Sequence, residues 1–170
     1  MDPVTRMLEI EYRQKTEIKY ISKAYFGNYL YNTWYYSPYP TEVYSKAETI
    51  YVCNQCMKYM VTPELYREHY FQRQCPRYDQ LPGKVMYSDT KNNIVICCVD
   101  GSEDKLFCQN LNLFCKFFID HKTVYFDIER FMFYMIYKVS TEEENKPQKY
   151  EFAGYFSKVI KLFLICFAFV

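Results

Sequence analysis

Apolar and polar positions alternate along this chain in short blocks, with periods that change from two to nearly four and back. From Glu17 to Tyr36 the run EIKYISKAYFGNYLYNTWYY is rich in Ile and Tyr and is broken by Gly27-Asn28, which predicts a strand, a turn and a second strand. Ser37 to Pro40 (SPYP) ends it, because proline fixes φ and restricts the residue before it. Thr49 to Val52 resumes as a short strand leading into Cys53. Pro63 to Arg73 reads as a helix, with proline suited to its first position and Thr62 placed to cap it. Residues 1–16 are polar and weakly patterned and read as a lead-in.

Past a Pro82-Gly83 turn, Lys84 to Ser88 and Asn93 to Val99 read as strands, closed by Asp100-Gly101. Leu111, Phe114, Cys115, Phe118 and Ile119 recur at helical spacing, while Gln109, Asn112, Lys116 and Asp120 form an opposite polar stripe. Thr123 to Phe126, Phe131 to Val139 and Lys149 to Phe156 predict further strands, with Ser140 to Gln148 (STEEENKPQ) as a solvated turn. Strands and two helices in this order predict an α+β fold rather than a bundle or a sandwich.

Composition narrows the function classes. The length of 170 residues suits one domain, and with half its residues apolar and 21% aromatic the chain can bury a core. Lys and Arg balance Asp and Glu to a net charge of +1 with no run of five or six like charges, which argues against a broad electrostatic grip on nucleic acid. The four glycines are too far apart for G-x-G-x-x-G or G-x-x-x-x-G-K phosphate loops. MDPVTRMLEIEYRQ lacks the apolar core of a signal peptide, so the eight cysteines are expected in a reducing compartment, as metal ligands or buried thiols.

The strongest local signal is Cys53-x2-Cys56-x12-His69-x5-Cys75. A tight turn supplies two thiolates, a helix supplies an imidazole and a third thiolate completes a tetrahedron; four ligands with none spare predict a closed, structural zinc site. The alternative is scattered buried cysteines beside a surface histidine. Against it, three cysteines and one of only two histidines fall within 23 residues. A DNA-reading finger would carry basic or amide residues on its helix, whereas this helix offers Glu64, Tyr66, Arg67, Glu68 and Gln72. A finger that props a neighbouring body is therefore expected, without sequence-specific DNA binding.

TWYYSPYP (Thr33 to Pro40), IYVCNQCMKYM (Ile50 to Met60), the finger spacing, FCQNLNLFCKFFIDHKTVYFDIERFMFYM (Phe107 to Met135) and GYFSK (Gly154 to Lys158) resemble successive blocks of the MYST-type histone acetyltransferase domain. KYISKAYFGNYLYNTWYYSPYP is most similar to the males-absent-on-the-first branch. The resemblance covers residues 17–158 in order. It implies a lysine acetyltransferase that uses acetyl-CoA on histone tails in the nucleus, within chromatin complexes and without a membrane. It also implies a C2HC zinc finger (residues 50–76) packed on the N-terminal part of a GNAT-like mixed sheet. Lys116 falls at the family's autoacetylated position, although its own spacing makes it an ordinary residue on the polar face of its helix.

Leu81-Pro82-Gly83, Met86-Tyr87-Ser88, Asn112 and Arg130 depart from the family's wording and suggest a diverged copy. The larger departure follows GYFSK, where the family continues with a strand bearing a catalytic cysteine, a Q-x-x-G-x-G loop that holds the pyrophosphate and a glutamate base. Here VIKLFLICFAFV follows, without a glycine, and no carboxylate lies beyond Glu151. Cys166 matches the catalytic cysteine neither in its neighbours nor in its distance from GYFSK, and reads as a spare thiol. The expectation is thus a chain whose C-terminal half of the domain is missing, with no catalytic residue and no acetyl-CoA binding. Residues 159–170 form an apolar tail outside the family. It reads as an improvised core strand, a membrane anchor or the product of a truncated or mis-spliced message, the last being favoured. As an anchor its twelve residues are too few to span a bilayer. The alternative function is a non-catalytic zinc-binding interaction module.

Overall fold

The computed structural model describes residues 2, 4, 6–7, 10–11, 16–72, 74–77, 80–122, 126–140, 149–160 and 165–169. The elements run β1 (Lys23–Phe26), β2 (Tyr29–Asn32), a single-turn helix α1 (Thr41–Tyr44), β3 (Thr49–Val52), β4 (Tyr59–Met60) and α2 (Pro63–Phe71). They continue with β5 (Lys84–Asp89), β6 (Ile94–Asp100), α3 (Lys105–Lys116), β7 (Phe131–Ser140), β8 (Lys149–Val159) and β9 (Ile165–Phe169). The class is α+β, with the strands divided between two sheets. Most of the strand expected at Thr123–Phe126 and of the turn expected after Ser140 lies outside the described residues.

The first sheet has the order β2-β1-β3-β4. Gly27, with φ of 61°, makes the turn between β1 and β2, a backbone conformation that L side chains seldom adopt. β1 and β3 run parallel and the other pairs antiparallel. Because successive strand residues face opposite sides, Ala24, Phe26, Ile50 and Val52 enter the core while Lys23, Tyr25, Thr49 and Tyr51 face the other way.

The second sheet, β5-β6-β7-β8-β9, is antiparallel throughout. Val95, Cys97, Val99, Phe133, Met135 and Tyr137 give its buried face the period of two. A register shift beside Ile136 keeps Phe152 and Tyr155, three residues apart on β8, both buried. At the entry to β5, Gly83 has φ of 63° and lies so close to Cys98 that an added Cβ would overlap its carbonyl oxygen. Glycine is thus required there on two separate grounds.

Helix α3 joins the two sheets. Asp104 caps it by accepting from the Phe107 amide at 3.4 Å. Phe114 stacks on Phe26 of the first sheet at 4.5 Å, and Tyr155 of the second donates to Asn112 Oδ1 at 2.8 Å. Ser37 Oγ donates to the Leu113 carbonyl, and the amides of Trp34 and Tyr35 donate to that of Phe117. This two-sided packing corrects the expected polar stripe: Gln109 is half-buried and Asp120 exposed, but Asn112 and Lys116 are each only 2% exposed. A helix enclosed on both sides has no solvent face along most of its length.

The apolar tail contributes β9, which adds to the edge of β8 from Lys158 opposite Ile165 to Gly154 opposite Phe169. A free strand edge accepts a short β-prone segment through main-chain hydrogen bonds alone. Among the described residues, no helix is long and apolar enough to cross a membrane.

Candidate functional site

β3 delivers Cys53 into a tight knuckle. The Met57 amide donates to the Cys53 carbonyl and the Cys53 amide to the Lys58 carbonyl, each at 2.9 Å, while Met57 takes φ of 60° to close the turn. Cys53 and Cys56 thereby project together, and β4 returns the chain to Thr62. The Thr62 hydroxyl accepts from the Leu65 amide, and Pro63 opens α2 where its missing N–H costs nothing. His69 is the buried residue of α2, so the helix presents it from its inner side. Cys75 follows after the helix ends.

The ligand atoms of Cys53, Cys56, His69 and Cys75 all lie within 4.8 Å of one another. Cys53 Sγ is 3.8 Å from Cys75 Sγ, and Cys56 Sγ is 3.4 Å from His69 Nε2. A tetrahedron with Zn–S of about 2.3 Å and Zn–N of about 2.0–2.1 Å has edges of about 3.8 Å between sulfurs and about 3.6 Å between sulfur and nitrogen. The donor set therefore fits Zn2+ in both chemistry and dimensions. Hydrogen bonding from Cys53, then from Cys56, holds the Cys75 thiol well below its ordinary range. Cys53 is pushed up by its thiol neighbours, then by burial. His69 Nδ1 is buried without a hydrogen-bond partner among the described residues, which leaves Nε2 as the nitrogen turned to the thiols. Met60, Tyr51 and Tyr66 pack around the cluster. With four protein donors and apolar walls there is no open position for a substrate, so the centre is structural in kind.

Lys116 lies elsewhere, at the end of α3. Its Nζ donates to the carbonyls of Asp120 at 2.7 Å and Ile119 at 3.3 Å, with the Asp120 carboxylate 4.0 Å away. Burial pushes its pKa down, opposed by Asp120. The amine thus satisfies main-chain carbonyls just past a helix C-terminus, a role that the periodic polar pattern does not reveal. The buried Asn112–Tyr155 hydrogen bond beside it also went unforeseen, since its partners lie 43 residues apart. Cys166 stands on β9 opposite Ser157.

Helices α2 and α3 both close their N-termini with their own side chains, Thr62 and Asp104. At the start of α3, Asp104 is also ion-paired with Arg77.

Residues 18–75 match the MYST family zinc finger domain, and the match ends on Cys75, the fourth donor of the cluster. Residues 80–163 match the MOZ/SAS family, across β5 to β8 and α3. The chain belongs to the MYST family. It is 44% identical over 151 residues, 89% of its length, to histone acetyltransferase MOF of Drosophila melanogaster. It is 40% identical over 133 residues, 78% of its length, to histone acetyltransferase KAT6A of Homo sapiens, and 39% identical over 145 residues, 85% of its length, to histone acetyltransferase mst2 of Schizosaccharomyces pombe. The chain spans 17%, 6% and 32% of these relatives respectively.

Proposed function

We propose that this chain is the finger-bearing portion of a MYST-type lysine acetyltransferase, a nuclear chromatin enzyme that moves the acetyl group of acetyl-CoA to histone-tail lysines. Cys53, Cys56, His69 and Cys75 hold its zinc. The zinc is structural and fixes the finger against the first sheet. The observation that carries the reading is the coincidence of the four-ligand cluster with the family's finger, followed in order by the acetyltransferase match. Resemblance to the males-absent-on-the-first branch rests on the same stretch, and histone tails and chromatin-complex subunits are the partners it implies. The finger helix does not read DNA sequence.

These 170 residues by themselves transfer no acetyl group. Transfer needs a base to deprotonate a lysine ammonium of pKa ~10.4 and a cradle for the cofactor's pyrophosphate. We place neither group among the described residues, where both long helices are capped by their own side chains. Purified protein is expected to show no turnover on a histone-tail peptide and no heat of acetyl-CoA binding by titration calorimetry. Turnover above an empty-vector control overturns this. Lys116 is the family's autoacetylation position. Its lowered pKa favours the neutral amine that acyl transfer needs, and the Ile119 and Asp120 carbonyls must release it first. A second reading, a non-catalytic zinc-bearing interaction module, draws on the same missing cradle. Turnover restored by supplying a relative's cofactor-binding segment in trans would select the enzyme portion.

A further inference from the structure

The outer face of the first sheet and helix α2 enclose a half-open groove of about 550 Å3 that the zinc centre does not use. Its floor follows from the register: Tyr25 of β1 lies opposite Tyr51 of β3 and Leu30 of β2, on the face away from the core. Its wall is one side of α2, where Tyr66, Tyr70 and Phe71 line the opening. The rings form a connected series. Tyr25 contacts Tyr66 at 5.4 Å, Tyr66 stacks with Tyr70 at 6.3 Å, and Tyr70 meets Phe71 edge-on at 5.8 Å. Tyr66 is fixed by its hydroxyl, which donates to the Gly27 carbonyl at 3.0 Å, whereas Phe71 is 76% exposed.

Charge selects the occupant. Lys23 and Arg67 line the groove, no carboxylate does, and neither cation has an ion-pair partner among the described residues. A histone tail, itself basic, would meet only like charge there. Aromatic faces next to unpaired cations are instead the arrangement that binds flexible strands carrying phosphates and planar bases. Asn28 and Thr49 add polar groups at the lining, suited to a ribose hydroxyl. We propose that this groove binds a short segment of single-stranded RNA, with bases stacked on Phe71 and Tyr70 and phosphates held by Lys23 and Arg67. The inference goes beyond the acetyltransferase reading and does not rest on it.

The test is fluorescence anisotropy of a labelled, unpaired RNA octamer with the zinc-loaded 170-residue protein. Saturable binding is expected, with affinity falling with salt at a logarithmic slope of about −1.4, the value for two phosphates neutralised on a single strand. Phe71→Ala should weaken binding at least about five-fold, and Lys23→Glu combined with Arg67→Glu should abolish it. Zinc content and circular dichroism establish that each variant is folded. Arg67→Gln, on an exposed side chain, gives a second readout by flattening the slope. No binding, variants that bind as the parent does, or equal affinity for a duplex of the same sequence would overturn the proposal. So would equal affinity for the corresponding DNA strand, or displacement of the RNA by an acidic aromatic peptide that binds more tightly.

Discussion

Cys56 and Lys116 show how differently single residues report themselves. The thiol is one vertex of a four-donor cluster, and structural zinc in small modules supplies about 10–16 kcal/mol of apparent binding energy that is also folding energy. Cys56→Ala is therefore expected to lower the zinc content from one ion per chain to none and to unfold residues 50–76, read by metal analysis and near-ultraviolet circular dichroism. A variant that keeps its near-ultraviolet signal without zinc would contradict it. Lys116 acts through its charge. Its folded pKa lies below the unfolded value, so its ammonium destabilises the fold in full below both values. As pH rises through the folded value towards ~10.4, the unfolded chain binds more protons and the penalty fades. Relative to Lys116→Met, the parent should gain stability between neutral pH and pH ~10 in urea titrations. The buried thiols of Cys108 and Cys115, pushed up to about 12 by burial, act in the opposite sense in both proteins and cancel in the difference.

Among the elements, the hairpin, β3, the finger helix and β5 through β8 are legible in the sequence because their signals are local. Gly27 supplies a positive φ, Thr62-Pro63 starts a helix, and alternation marks the strands. Helix α3 is legible as a helix but not in its surroundings. A polar residue every third or fourth position describes a stripe on a cylinder, and only the packing of Phe26 on one side and Tyr155 on the other encloses that stripe. Phe114→Ala, at the contact between helix and first sheet, should cost about 3–5 kcal/mol of stability by chemical denaturation. Gly83→Ala should also destabilise, by more than the ~1 kcal/mol of an ordinary glycine exchange, because it meets both a positive φ and the Cys98 carbonyl. A parent-like denaturation midpoint for Gly83→Ala would show that the entry to β5 can shift.

At the scale of the whole molecule, the finger and the first sheet share β3: Ile50 and Val52 fill the core and the next residue is a zinc donor. Chelation should therefore strip hydrogen-exchange protection from Ala24, Phe26 and Val52 before it affects the β6–β7–β8 ladder, and simultaneous loss would mean that the two sheets unfold as one unit. The ligand set, the α+β order and the family were determined by the sequence itself, since each depends on residue types at fixed short spacings or on blocks in order. Tertiary structure alone decided that the strands part into two sheets around α3, that Asn112 and Lys116 are buried, that the tail adds an edge strand to β8 and that five rings and two cations share a groove. Those outcomes depend on which distant surfaces meet and exclude water. Local periodicity records the faces of each element but not what comes to cover them.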